Sequence, residues 1–259
     1  MVTGPEENWP QRLAGHHTYF AQNDRIATNI TAIVPVYNTP AAYLDECVRS
    51  ILRQTVRPRE ILLIDDGTTL AETSVYLDVI KDLSGIRLVR NQCNISLGPT
   101  MNRALELCQT DFALKLDSDD LARSGLIQKF AECIRTSGDV DVLGCQCQNF
   151  GISNFVTKHP QRVTRDHVLS CFWFVNHTGV LLNRESLLAV NGYRRMRGLA
   201  EDYELRVRMM LCGYRRFYNL PEVLVDYRDL PTGLHHNLRP INRPMKIALR
   251  ALVRICPRF

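Results

Sequence analysis

No apolar run in this chain of 259 residues approaches the roughly 18–20 residues that a membrane-crossing helix needs, and no transmembrane helix is expected. The first thirty residues also lack an apolar core. Glu6, Glu7, Arg12, Asp24 and Arg25 interrupt them, so no secretion signal is predicted. The nine cysteines contain no C-x-x-C pair. Cys145 and Cys147 share one face if their stretch is a strand, and they read as buried free thiols, since zinc ligation there has no evident partners. These absences point to a reducing, cytoplasmic setting, where the N-x-S/T triplets at Asn29, Asn94 and Asn176 carry no meaning as glycan acceptors. Neither G-x-x-x-x-G-K-S/T nor G-x-G-x-x-G occurs, which argues against P-loop and dinucleotide sites. What remains is ordinary: 45% hydrophobic, 23% charged, and long enough for one large α/β domain or two small ones.

Acidic residues are absent from residues 231–259, which carry Arg239, Arg243, Lys246, Arg250, Arg254 and Arg258. That segment holds +6 of a net +5, so the body sits at −1. The body shows no basic patch with interleaved aromatics, and no nucleic-acid partner is expected. Arg243, Lys246, Arg250 and Arg254 fall on one helical stripe, with Met245, Leu249 and Leu252 mainly on another side, between Pro244 and Pro257. Within the basic amphipathic tail 231–259, the stretch from Pro244 to Pro257 therefore reads as a helix, and residues 239–258 as the part that could meet a membrane. The helix either docks on the body or lies on an anionic membrane surface, which would make the protein peripheral on the cytoplasmic face.

Along the body, residues 1–28 read as an arm, and 29–36 (NITAIVPV) as a buried strand. Thr39 is a candidate N-cap with Pro40 in the first turn of a helix. Further strands are expected at 60–64, 86–90, 112–116 and 140–147, and helices at 71–83, 97–108 and 124–136. This alternation predicts an α/β fold with a mostly parallel sheet and helices on both faces. Ligands bind such sheets beyond the carboxyl ends of the strands. The polar clusters fall there: Tyr37-Asn38, Asp65-Asp66-Gly67, and Asp117-Ser118-Asp119-Asp120. Carboxylates at i and i+2 past a strand end can share a hard divalent cation, although Asp also favours plain turns and N-caps.

Taken in order, these segments resemble the family 2 glycosyltransferases. The matching stretches are IVPVYNTPAAYLDECVRSILRQT, EILLIDDGT, NISLGPTMNRALELCQTDFALKLDSDD, NHTGVLLNRESLLAVNGYR and AEDYELRVRMMLCGYRRFYNLPEVLVDYR. The resemblance implies a GT-A fold: a Rossmann-like domain over 29–230, with a nucleotide-binding half (29–120) and an acceptor-binding half (121–230), to which the charge pattern of the tail adds the basic C-terminal helix. It implies transfer of one sugar, with inversion, from a nucleotide-sugar (a UDP-sugar first) to a hydroxyl of a glycan or lipid-linked glycan. Pro35, Val36, Tyr37 and Asn38 would hold base and ribose, with Tyr37 stacking. Asp66 would bond the base and Asp65 support its loop. Asp117 would reach the ribose or a metal-bound water. Asp119 would be the main ligand of Mn²⁺ or Mg²⁺. His177, Thr178 and Gly179 would line the sugar and acceptor region, and Arg228 would lie near the diphosphate. Glu201-Asp202 would be the acidic pair, with Asp202 the general base; acids at that spot equally suit a helix N-terminus.

Departures sharpen the reading. The Q-x-x-R-W of processive members is absent, which favours single addition. Where members often carry a basic residue before the Asn matching Asn102, this chain has Ser96 and Leu97. Where a His often follows the Tyr-Arg pair, Asp229-Leu230-Pro231 stand, and His235-His236 read as a solvated loop. A dehalogenase-type phosphatase would carry its D-x-D on the first strand. A sugar nucleotidylyltransferase would carry a Gly-rich loop after it. A binding module that has lost catalysis would not be expected to keep both acidic motifs.

Overall fold

The structure, a computed structural model, describes residues 26–170, 173–195 and 201–231. The elements run β1 (Ile26–Val36), α1 (Ala41–Leu52), β2 (Arg57–Asp65), α2 (Ala71–Ile80), β3 (Ile86–Arg90), α3 (Leu97–Leu107), β4 (Phe112–Lys115), β5 (Leu121–Ala122), α4 (Leu126–Ser137), β6 (Val142–Gly151), α5 (Arg165–Ser170), β7 (Val180–Asn183), α6 (Arg184–Ala189), α7 (Glu201–Leu211) and β8 (Phe217–Asp229). The arm, except for the start of β1, and the basic tail from residue 232 lie outside the described residues.

Among these residues the strands form one sheet in the order β3-β2-β1-β4-β7-β6-β8-β5. The first four are parallel, as strand–helix alternation requires. Beyond β4 the sheet is mixed: β7 runs antiparallel to β4 and β6, β5 antiparallel to β8, and β6 parallel to β8. The parallel expectation thus describes the first half.

Strand periodicity divides the core. Ala32, Val34, Ile61, Leu63 and Leu114 pack on one face with α1, α2 and α4. Ile33, Leu62, Ile64 and Ala113 pack on the other with α3, α6 and α7. The inner parallel strands β1, β2 and β4 are buried on both sides, which explains their apolar runs, whereas β3 (IRLVR) at the sheet edge is only partly buried. Cys145 and Cys147 are free thiols inside the first of these clusters.

Thr39 does not cap α1. Its hydroxyl is 2.5 Å from the Ser118 hydroxyl and its carbonyl accepts from Thr73 Oγ1. Pro40 occupies the cap position without a side-chain bond. Thr39 instead ties the end of β1 to the loop after β4. Parallel pairing of β1 with β2 and β4 sets their carboxyl ends on one edge of the sheet.

Candidate active site

Tyr37 follows β1 and is 49% exposed, its ring free of the core. Asn38 (φ +51°) turns the chain. Its Oδ1 accepts the amides of Thr69 (2.8 Å) and Leu70 (3.0 Å), so it holds the approach to α2. Pro35 lies past the last β1–β4 pair, Ile33 with Lys115, so its missing N–H takes no bond from the ladder.

After β2, Asp65 accepts the Thr68 amide at 2.8 Å and faces Arg90 at 3.3 Å, closing its own turn. Asp66 accepts from Asn91 Nδ2 (2.7 Å) and from the amides of Ile95 (2.9 Å) and Ser96 (3.0 Å). A carboxylate has about four acceptor positions, so Asp66 keeps about one for a ligand and spends the rest on the β3–α3 loop. Gly67 between these loops has φ +74°, and a Cβ there would lie 2.6 Å from the Cys93 carbonyl carbon.

The loop after β4 gathers most of the charge. Asp117 Oδ1 is 2.8 Å from Lys115 Nζ, Oδ2 is 3.5 Å from His177 Nε2, and its amide bonds Thr178 Oγ1 at 3.0 Å. Burial, and then the charge of Asp117, push the Asp119 carboxyl up to about 6. Burial and both neighbours raise Asp120 well above the carboxylate range. One Asp120 oxygen takes the Arg228 amide at 2.8 Å; the other has no partner among the described residues. Arg228 holds this loop rather than offering a free guanidinium. Nε bonds the Asp119 carbonyl at 2.9 Å, Nη2 pairs with Glu46, and the cation stacks on Tyr43 and Phe150.

Across the sheet lie β7 and α7. His177 sits edge-on to Tyr227, with ring centroids 5.1 Å apart, and burial lowers its pKa, favouring neutral imidazole. Gly179 (φ +58°) packs where a Cβ would strike Val225 at 2.1 Å. Glu201 and Asp202 open α7. Asp202 receives Tyr193 OH at 3.3 Å and lies 3.8 Å from Lys115 Nζ and 4.0 Å from Arg206. Burial alone would raise its pKa, but the Lys115 and Arg206 charges outweigh burial and hold it below the usual range. Burial, then the charge of Asp202, lift Glu201 to about 7, and its Oε2 has no partner among the described residues.

The fold thus brings together Asp117, Asp119, His177, Thr178, Gly179, Arg228 and Asp202. Pro35, Tyr37, Asn38, Asp65 and Asp66 stand along the ends of β1 and β2. Sequence reading missed Lys115, Tyr193 and Arg206. The signal for Lys115 was a lysine inside the apolar run FALKL; Arg206 was hidden in a helix-like repeat.

Among the described residues no three His, Cys, Asp or Glu side chains form a metal cage; His235 and His236 lie outside them. The acidic loop still suits a cation. Asp119 is pushed up by burial and then by its acidic neighbour, and Asp120 keeps a buried oxygen without a partner among the described residues. Few protein ligands, completed by phosphates and water, is how Mg²⁺-type sites are commonly built.

A parallel half-sheet with polar and acidic groups at its strand ends, joined to a mixed half that carries a buried acid, has the architecture of a GT-A fold. The chain belongs to the Glycosyl transferase family 2, whose model matches residues 31–201. It is similar to the Escherichia coli UDP-Gal:alpha-D-GlcNAc-diphosphoundecaprenol beta-1,3-galactosyltransferase: 28% identical over 190 residues, 72% of this chain and 68% of that protein. It is also similar to the Erwinia amylovora amylovoran biosynthesis glycosyltransferase AmsE, at 23% identity over 76% of this chain and 75% of the relative. In fold it resembles S. aureus TarS 1–349, solved with UDP-GlcNAc (TM-score 0.72, 17% identity, 87% of this chain and 66% of that one). The mannosyltransferase PcManGT of Pyrobaculum calidifontis, solved with GDP-Man and Mn²⁺, is a further structural likeness (TM-score 0.63, 20% identity, 95% of this chain and 72% of that one). The protein is a glycosyltransferase. Among its described residues no helix is long and apolar enough to cross a membrane.

Proposed function

We propose that the enzyme moves a single sugar, with inversion, from a UDP-sugar to a hydroxyl of a glycan or lipid-linked glycan. The observation that carries this is the meeting of the acidic loop after β4 with the first turn of α7, where Lys115 lies 2.8 Å from Asp117 and 3.8 Å from Asp202. In-line displacement at an anomeric carbon needs a base on the acceptor side and charge neutralisation on the leaving side.

Asp202, ionised at neutral pH, takes the proton of the acceptor hydroxyl as its oxygen attacks the anomeric carbon, and the bond to the diphosphate breaks. Glu201 Oε2, without a partner among the described residues, receives a second acceptor hydroxyl, and His177, Thr178 and Gly179 line that side. Tyr37 stacks on the base, Asp66 uses its remaining lone pair on the base edge, and Pro35, Asn38 and Asp65 shape the turns that hold it. Asp119, with Asp117 through water, would hold a divalent cation, Mn²⁺ or Mg²⁺, which supplies charge neutralisation for the diphosphate. Arg228 keeps the loop at that end.

The UDP-Gal and diphosphoundecaprenol in the name of the Escherichia coli relative support the donor and a lipid-linked acceptor. The Mn²⁺ bound in PcManGT supports the cation. The basic stripe at 239–258 would then hold the enzyme on an anionic membrane beside its acceptor.

The test is a panel of UDP-, GDP- and dTDP-sugars with a GlcNAc-diphosphate lipid. Nucleotide release is followed with Mn²⁺, Mg²⁺ or EDTA, and product configuration by NMR. Metal-dependent UDP release and an inverted linkage are expected. No release from any donor overturns the function, and a retained configuration overturns the role of Asp202.

A further inference from the structure

One residue of β4 departs from the pattern of its strand. Phe112, Ala113 and Leu114 are apolar and buried, as a central strand covered on both faces requires. Lys115 follows them with no exposed surface at all. A buried ammonium is costly unless acceptors and opposite charges meet it, and three groups do: Asp117 Oδ1 at 2.8 Å and the His177 carbonyl at 2.7 Å within hydrogen-bond distance, and Asp202 Oδ2 at 3.8 Å as an ion pair. Strand alternation explains the direction. Ala113, two residues earlier, packs in the cluster on the α7 side of the sheet, and Lys115 follows it to that face.

The three partners come from three places: Asp117 from a loop, His177 from the approach to β7, and Asp202 from a helix. Among the described residues, Lys115 is the one cation paired with both acidic arms; Arg206 pairs with Asp202 and His177 with Asp117. A compact point charge suits two acceptors and a further carboxylate arriving from different directions, whereas a planar guanidinium suits a flat pair.

We propose that Lys115 is a positioning residue whose ammonium ties the acidic loop after β4 to the first turn of α7 and so sets the separation between Asp117 and Asp202. This rests on Asp202 being the base. Lys115 gives up no proton in the reaction; it fixes where the base stands relative to the donor. Misplacement by about 1 Å in such a site can cost about 10²-fold in rate.

The experiment compares wild type with Lys115→Met, Lys115→Arg, Asp202→Asn and the double variant Lys115→Met/Asp202→Asn. It reads kcat and donor KM, the Kd of UDP with Mn²⁺ by calorimetry, and urea unfolding of the unliganded full chain. Lys115→Met is expected to lower kcat about 10²-fold while the UDP Kd stays within threefold, with Lys115→Arg restoring part of kcat. In unfolding, the double variant is expected to lose less stability than the two single losses combined. A kcat within threefold of wild type in Lys115→Met, or an additive unfolding cycle, overturns the proposal. Should Lys115→Met alone not fold, the double variant decides: a recovered cooperative transition supports the tie, and its absence overturns it. The unfolding cycle needs no substrate. A wild type without turnover would therefore sink the functional reading while the cycle still judged the tie.

Discussion

At the ends of β1 and β2, polar side chains close on backbone; where β4 meets α7, charges close on one another. Asn38 and Asp66 each accept two main-chain amides, and Asp65 accepts one. Such bonds are short in sequence or confined to neighbouring loops, and they make a rigid rim. Lys115, Asp117, Asp202 and Arg206 instead face each other from a strand, a loop and a helix, with His177 beside Asp117 on the approach to β7, and Lys115, Asp202 and Arg206 are buried. Charges brought together by distant elements cost burial energy that turn-forming polar groups do not. The first region should therefore answer mutation mainly with stability or binding, and the second with chemistry.

The largest expected effect tests the second region. Asp202→Asn keeps the shape but cannot take a proton, so turnover should fall by about 10²–10⁴-fold while calorimetry finds unchanged UDP binding. A near-normal kcat would erase the contrast between the regions.

Two neighbours in one turn sharpen the first region. Tyr37→Ala removes an exposed ring and should change unfolding by less than about 0.5 kcal/mol. Nucleotide affinity should drop by about 1–3 kcal/mol if the ring stacks on a base. Equal UDP Kd values in the two proteins would remove Tyr37 from the site.

Asp141 asks whether facing charges suffice to mark chemistry. It is buried and takes the Ser186 hydroxyl (2.8 Å) and, from Arg216, the amide (3.0 Å) and Nη2 (2.9 Å). Burial would raise its pKa, but the bonds from Arg216 outweigh it and hold the carboxyl below its ordinary value. Asp141→Ala should cost about 2 kcal/mol, because the half-exposed Arg216 can rehydrate, and should leave kcat of the folded enzyme unchanged. A depressed folded pKa gives stability that is present above the unfolded value of about 3.9 and lost as pH falls through the folded one. The gap between wild type and variant, followed by urea unfolding, should be constant near neutrality and shrink below about pH 4.

The smallest effect is Asn38→Ala. Losing its bonds from the Thr69 and Leu70 amides and placing Ala at positive φ should cost about 1–2 kcal/mol of stability. A variant as stable as wild type would show that the rim does not depend on those bonds.

Much of this contrast was legible in the chain. The apolar runs and turn signals of the first half predict β1 to β4 and the polar strand ends within a few residues, because local pattern and parallel topology agree there. The second half resisted. β7 has four residues and β5 two, too few for a periodic signal, and β8 carries Pro221 and Glu222 in its middle. Thr39 looked like a cap because its type suits one; the partner it chose, Ser118, is far off in sequence.

The sequence alone determined an α/β chain with acids at its strand ends, since covalent spacing and hydrophobic period suffice to place them, and the order of its segments carries the resemblance to this family. Tertiary structure decided which acids share a charge environment. Lys115 and Asp202 are remote in sequence, and nothing local brings an ammonium from β4 to a helix N-terminus. Only the packing of α7 on the face where Ala113 and Lys115 point does so, and burial then turns a 3.8 Å separation into a strong interaction.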